Sequence, residues 1–404
     1  MHLPARVGNV PSPADTIVPE WRAHLISGIN GLGQPGRARA FCHSNGRLMR
    51  ILVTGNLGYV GSVLGRQFAM RHPNWELVGC DTGFFQDCGN GHDVATCYSR
   101  QIVADIRNLS ASELEGMDAI VHLAGISNDP MGTAFESATM SINADGSANL
   151  GIVARRAGVR RFVFASSCSV YGSGGQGPRC ERDPVEPLTA YAVSKVVAEA
   201  KLAELADSNF RVTNLRFATA CGCSPCLRLD LVLNDFVASA VQSERIEVLS
   251  DGKHWRPLIH TEDMVRAIEW ALTRDGDDLV QVNVGSEAWT WPVGRLAQNV
   301  ASVLGGIEVT INQAAAPDRR SYQMDFSLFR RLASDHQPTK DFEQTVHELR
   351  DQIRGLSFGG RSFRESRYVR LNHLRNLRKL GMVDSLLRIP VGPVVSREAQ
   401  FDFQ

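Results

Sequence analysis

Residues 49–217 predict a doubly wound parallel α/β fold, and three observations carry that prediction. Short runs of β-branched and aliphatic residues alternate with helix-like stretches, the first run ends in a glycine-rich turn, and the second ends in an aspartate. Strands that alternate with helices imply a parallel sheet covered on both faces.

The elements follow in order. RILVTG (50–55) reads as the first core strand, and the amphipathic stretch that follows the glycine turn, as far as Arg71, reads as the first helix. WELVGCD (75–81) is the second strand, ending at Asp81, and QIVAD, DAIVHLAG, RRFVFASS and FRVTNLRF supply four more, with helical stretches between most of them. A second, mixed α/β region is expected over 218–354, with some segments returning to the main sheet. Residues 1–48 are rich in Gly, Pro and Arg, with no sustained period and no apolar secretory core, and are expected to be a disordered extension. Residues 355–404 are locally basic and are expected to form a helical tail that is solvated or faces a subunit.

Bulk composition narrows the function classes. Forty-three basic residues balance 43 acidic ones in 404, so no global field draws the chain to nucleic acid or an anionic membrane. No apolar run reaches the ~18 residues that a membrane span needs. Nine cysteines form no regular secreted framework, and a nucleotide-using core points to the cytoplasm. Cys221, Cys223 and Cys226 lack a fourth ligand at a usual spacing, so no metal is expected.

TGNLGYVG places glycines at 55, 58 and 61 directly between a strand and a helix. The first permits a tight turn, the second lets backbone approach a pyrophosphate, and the third allows close helix–strand packing. The diphosphate then sits over the free N–H groups of the helix, against Gly55, Asn56, Leu57, Gly58, Tyr59, Val60 and Gly61. Asp81, at the end of the second strand, can accept both ribose hydroxyls and repels a 2′-phosphate, which favours NAD over NADP. Asp105 and Ile106 after the third strand, with Leu123, Ala124 and Gly125 after the fourth, are expected to line the adenine and inner ribose. A Rossmann-type NAD-binding domain is expected over 49–217.

Further along stand SSCSVYG (166–172) and YAVSK (191–195). Tyr191 and Lys195 are four apart, so on a helix they share a face. A tyrosine of ordinary pKa near ~10 is a poor base at neutral pH. An adjacent ammonium and a positive nicotinamide ring are expected to stabilise its phenolate. The glycine spacing, SSCSVYG and Tyr-x-x-x-Lys together resemble the extended short-chain dehydrogenase/reductase family, in its NAD-dependent nucleotide-sugar epimerase/dehydratase branch.

The resemblance covers about 49–354 and implies roles residue by residue. Tyr191 exchanges the proton of a substrate hydroxyl while hydride moves to or from the nicotinamide, Lys195 holds the nicotinamide ribose, and Ser167 hydrogen-bonds the same substrate oxygen. Asn143 falls where the family places a structural or relay asparagine; Ser166 and Tyr171 are expected to pack or cap. Dehydratases of the family carry an Asp-Glu pair where this chain has Cys168 and Ser169. Decarboxylases carry Glu at the position of Ser169, and epimerases acting beside a ketone carry Cys there. Cys168 stands one position early and, if the strand continues, faces away. What remains is chemistry that needs only hydride and one proton.

At the substrate end the resemblance implies contacts from Ser167, Ser169, Thr219, Asn234, Arg256, Asp318 and Tyr322. Thr219 and Cys221 replace the family's Asn and Tyr, and Ala315 replaces an Arg for which Arg319 or Arg320 can substitute. Tyr322 is read either as a wall beside the sugar's 2-substituent or as a core aromatic. The expected activity is epimerisation of a nucleotide sugar at carbon 4. The alternatives left open are a 4-ketoreductase or dehydrogenase of a nucleotide deoxysugar and a non-catalytic NAD-binding regulator. Expected partners are a nucleotide sugar and a second copy of the chain through helices of the Rossmann domain, with no nucleic acid and no membrane.

Overall fold

Seven parallel strands organise the molecule. The structure, a computed structural model, describes residues 48–89, 94–173, 177–316, 318 and 320–390. The strands are β1 (Met49–Thr54), β2 (Trp75–Asp81), β3 (Arg100–Val103), β4 (Ala119–His122), β5 (Arg161–Ser167), β6 (Arg211–Phe217) and β7 (Leu279–Val284). Their order across the sheet is β7-β6-β5-β4-β1-β2-β3, with every pair parallel. The chain reverses direction of travel between β1 and β4, which opens a crevice at the carboxyl ends of those strands. All six strands expected from sequence lie where the apolar runs placed them, and β7 is a segment of the second region returning to the main sheet.

Period-two alternation sorts the strand side chains between two cores. Ile51, Val53, Val121, Val163 and Leu215 pack on one face with Leu64 and Phe68 of α1 (Tyr59–Arg71). Leu52, Val78, Ile120, Phe162 and Phe164 pack on the other with Leu150, and with Ala198 and Leu202 of α2 (Ala190–Ala203). Nearly continuous apolar strands are what a sheet buried on both faces requires.

Beyond β6 the chain builds a smaller mixed layer beside the crevice. Trp255–His260 pairs in parallel with Thr219–Cys221 and antiparallel with Thr290–Pro292. Arg245–Val248 pairs with Glu308–Ile311. A third apolar cluster joins this layer to α3 (Val232–Ser243).

Of the segment expected to be a helical tail that is solvated or faces a subunit, residues 391–404 lie outside the described residues, and the part up to residue 390 packs on the core. Phe363, Tyr368, Leu374, Val383 and Leu387 are buried, and α4 (Arg370–Lys379) begins with an arginine that is 2% exposed. Its apolar residues at 363, 368, 374, 383 and 387 give this stretch something to bury, although basic residues dominate its composition. Among the described residues no helix is long and apolar enough to cross a membrane. The expectation for residues 1–48 falls, apart from Leu48, outside the described residues, as does Arg319.

Candidate functional site

A cavity of about 580 Å³ runs along the crevice, from the carboxyl end of β2 to the mixed layer. That volume suits a small-molecule site. Its first wall is the turn between β1 and α1. Gly55 has φ +75°, and a Cβ there would lie 2.6 Å from the Ala124 nitrogen. A Cβ on Gly61 would lie 2.4 Å from the Gly55 oxygen, so both glycines are required by close approach. Gly58 caps α1 with no side-chain hydrogen bond, leaving the helix N-terminus open to the cavity that Gly58, Tyr59 and Val60 line.

Asp81 stands at the end of β2 and lines the cavity. Its carboxylate accepts the Leu57 N–H at 3.2 Å and the Gly83 N–H at 2.8 Å. Burial raises its carboxyl above the usual range, opposed by those two N–H groups and by the charge of Arg370. Asp105, Ile106, Leu123, Ala124 and Gly125 line the same end. Asp105 is paired with Arg107, whose guanidinium nitrogen lies 2.5 Å away. Two residues of the expected cofactor set do not line the cavity. Asn56 is fully buried and exchanges hydrogen bonds with Gln101, while Leu57 is 8% exposed and gives its backbone N–H to Asp81. They shape the turn rather than the pocket wall. An uncapped helix N-terminus beside glycine backbone, with a carboxylate at the next strand end, fits a dinucleotide.

The reactive groups lie midway along the cavity, on β5 and α2. Thr189 caps α2 by accepting the Ala192 N–H, which fixes the turn carrying Tyr191. Tyr191, Lys195 and Glu199 then follow at intervals of four along one face. The Lys195 ammonium donates to the Ala165 carbonyl at 2.7 Å and sits 4.6 Å above the Phe164 ring. Burial pulls its pKa down to about 8, with Glu199 opposing. Burial also pushes the Tyr191 phenol up to about 12, against the hydrogen bond from Ser167. Burial thus outweighs any stabilisation of the phenolate, while the Lys195 ammonium donates to Ala165.

β5 ends at Ser167, and a tight 3₁₀ turn over Cys168–Tyr171 replaces the strand continuation that sequence offered. Ser167 and Ser169 line the cavity, and Ser167 Oγ accepts the Ser169 N–H. Burial raises the Cys168 thiol to about 12, against the lowering effect of its hydrogen bond with the Tyr322 hydroxyl. Behind the turn lies a buried polar network. Ser166 donates to Glu199, Glu199 pairs with Arg216 at 2.7 Å, and Arg216 donates to the Tyr171 hydroxyl, which donates to Asn283. Ser166 and Tyr171 thus brace the site. Asn143 does likewise, holding both backbone groups of Ile126 and the Ser194 hydroxyl.

At the far end, Thr219, Arg256, Asp318 and Tyr322 all line the cavity. Asp318 receives Arg256 at 3.1 Å and Arg320 at 2.7 Å. Burial works against its charge, but the Arg320 hydrogen bonds and the Arg256 charge win and hold it at about 2. Tyr322 is 7% exposed, with the Arg256 guanidinium 5.5 Å from its ring centroid, so it belongs at once to the core and to the wall. Asn234 is a correction. It is fully buried on α3, accepting the Gly222 N–H and donating to the Arg228 carbonyl and the Tyr59 hydroxyl. It folds the 222–228 loop and does not face the cavity.

Sequence reasoning missed Asn128, Asp129, Arg228, Asp230 and Arg370, all of which line the cavity. SNDP reads as a helix start, and Asn128 does cap the short helix Asp129–Ala134. Nothing local reveals that Asp129 also receives Thr189 and Arg320, or that Asp230 receives Asn128 and Arg228. Among the described residues the aspartates along the cavity are all engaged, while Glu247, about half exposed at its rim, only approaches Arg364 at 4.0 Å. Asp105, Asp129, Asp230 and Asp318 hold arginines, Asp235 holds Arg364, and Asp81 holds backbone N–H groups.

The sequence pattern of the NAD dependent epimerase/dehydratase family matches residues 51–285. A UDP-glucose epimerase of Bacillus subtilis (strain 168), YtcB, itself uncharacterized, is 29% identical over 59% of this chain and 77% of its own. The dTDP-glucose 4,6-dehydratase of Streptomyces griseus is 27% identical over 70% of this chain and 87% of its own. Among solved structures, MoeE5 in complex with UDP-glucose and NAD superposes with a TM-score of 0.65 at 25% identity, covering 76% of this chain and 98% of that one.

Proposed function

Since the chain belongs to the NAD dependent epimerase/dehydratase family, we propose that it is a nucleotide-sugar epimerase acting at carbon 4 through a transient 4-keto sugar. Its relatives divide among epimerases, dehydratases and decarboxylases of nucleotide sugars, and it is an enzyme of that extended short-chain dehydrogenase/reductase type. One observation carries the choice among them. Along the cavity, Asp129, Asp230 and Asp318 are already held by arginines, and Cys168 and Ser169 stand where the resemblance calls for carboxylates in dehydratases and decarboxylases. That leaves Tyr191, with Ser167, as the proton-exchanging group.

The residues divide the work. Gly58, Tyr59 and Val60 at the N-terminus of α1, with Asp81, hold the dinucleotide, and the Asp81 carboxylate at the strand end suits an unphosphorylated ribose. Bound NAD⁺ supplies a hydride acceptor that returns the same hydride. Ser167 orients the substrate hydroxyl toward Tyr191, and Tyr191 takes and returns its proton. Lys195 holds the nicotinamide ribose from the Ala165 side and places a positive charge near the phenol. Arg228, Arg256 and Arg320 offer charge-assisted hydrogen bonds to the substrate's diphosphate, and residues 218–354 serve as the main substrate-binding region.

The test is to denature purified protein and assay the supernatant for nucleotide, then to incubate native protein with UDP-, GDP-, dTDP- and CDP-hexoses without added cofactor. Copurified NAD and formation of a 4-epimer are expected. Empty protein that turns over only with added NADPH would replace the epimerase by a ketoreductase.

A further inference from the structure

Arg370 opens α4 in the C-terminal segment, well beyond the stretch that matches the family pattern. It is 2% exposed and lines the cofactor end of the cavity. Its guanidinium lies 3.9 Å from the Phe85 ring centroid, and Nη2 reaches the Cys226 carbonyl at 3.4 Å and the Cys226 sulfur at 3.1 Å. Nε and Nη1 are buried without a hydrogen-bond partner, and among the described residues no carboxylate comes within ion-pair distance, the Asp81 and Asp230 charges acting only from further away. Buried charges are ordinarily paired, so an arginine left this way calls for an anion.

The position of the guanidinium names the anion. Phe85 lies just beyond the end of β2. Cys226 belongs to a loop fastened to the first turn of α1, where Ser224 Oγ donates to the Tyr59 carbonyl at 2.7 Å and accepts the Cys226 N–H at 3.1 Å. Arg370 therefore stands between the ribose-binding strand end and the helix N-terminus, on the diphosphate side. A 2′-phosphate is disfavoured by Asp81, whose carboxylate occupies the strand end. The same segment touches the cleft a second time. Leu387 is fully buried, adopts φ +54° and lines the cavity, and the Arg107 guanidinium donates to the Leu386 carbonyl at 2.9 Å.

We propose that the segment from Phe363 to Arg388 is a strap across the adenosine half of the cofactor cleft, with Arg370 as its contact to the dinucleotide's diphosphate. The strap makes the cofactor slow to leave, which suits an enzyme that recovers its hydride in each turnover. This inference rests on the dinucleotide reading above.

The experiment strips the full-length protein of nucleotide and titrates it with NAD, ADP-ribose and NADP, for wild type, Arg370→Lys and Arg370→Met. Loss of a charge-assisted contact is expected to weaken NAD and ADP-ribose alike, by about 10- to 100-fold in Arg370→Met and less in Arg370→Lys. Bound NAD is expected to dissociate faster from both variants by a similar factor. Hydrogen exchange on wild type gives a measurement independent of variant folding: NAD should slow exchange across Phe363–Arg388. Folded Arg370→Met with NAD affinity within twofold of wild type, or no slowing in the strap, overturns the proposal and leaves Arg370 structural. A wild type that prefers NADP, with that preference lost in Arg370→Met, overturns the diphosphate assignment in favour of a 2′-phosphate. Wild type that binds none of the three refutes the dinucleotide reading itself.

Discussion

The Lys195 ammonium stands 5.8 Å from the centroid of the Tyr191 ring, one helical turn along the same face of α2. In the free chain this neighbour does not make Tyr191 acidic. Burial holds the phenol up at about 12 and the ammonium down at about 8, so both charged forms are disfavoured, although Lys195 still keeps its proton at neutral pH. Tyr191→Phe keeps the ring and removes the exchanging proton. Turnover should fall roughly 100-fold or more with NAD content unchanged. Turnover close to wild type would assign the proton to another group.

Burial of Lys195 has a thermodynamic signature. Its folded pKa of about 8 lies below the ordinary value of 10.5, so the unfolded chain binds more protons between those pH values. Stability therefore rises with pH across that window and is flat below it. Relative to Lys195→Met, stripped wild type should gain roughly 3 kcal/mol between about pH 8 and pH 10.5. Urea unfolding of both proteins at pH 7 and pH 10.5 measures the gap; a gap that stays constant means the ammonium is not desolvated.

The Glu199–Arg216 pair, 2.7 Å apart with side chains 5% and 4% exposed, braces the turn that carries Ser167. Arg216→Met leaves a buried carboxylate uncompensated and should cost about 3–5 kcal/mol in unfolding free energy. Adding Glu199→Leu should recover much of that loss. A double variant no more stable than Arg216→Met would show that Ser166, Tyr171 and Asn283 depend on both charges.

Tyr322 stands in the cavity wall between Arg256 and Cys168. Wild type should prefer a 2-hydroxy hexose, and Tyr322→Gly should gain turnover of N-acetylhexosamines, because the wall acts by steric exclusion. Removing a buried aromatic should also cost about 3–5 kcal/mol of stability. Equal wild-type turnover of both sugar classes would place Tyr322 in the core alone.

What sequence revealed and what it hid have separate physical causes. Gly55, Gly58, Gly61 and Asp81 were legible because one strand–turn–helix unit fixes them relative to each other. Tyr191 and Lys195 were legible through the helix period. Asn234, by contrast, has the right chemistry for a phosphate but spends it on the Gly222 and Arg228 backbone, a choice made by the loop's path. The cavity's arginines and aspartates pair across as many as 191 residues of chain, as Arg320 and Asp129 do, and no local pattern encodes such a meeting. Arg370 hid in a basic stretch whose composition describes a surface, while five apolar neighbours carried it inside.

The most direct test of the central claim is NMR of the product formed in D₂O, from the nucleotide hexose the protein accepts, with no cofactor added. One hydride and one exchanging proton should give the 4-epimer with carbon-bound hydrogen retained at carbon 4 and no deuterium on any ring carbon. A 4-keto-6-deoxy product, loss of carbon dioxide, or deuterium at carbon 3 or 5 would contradict the account, because each requires an acid or base beyond Tyr191.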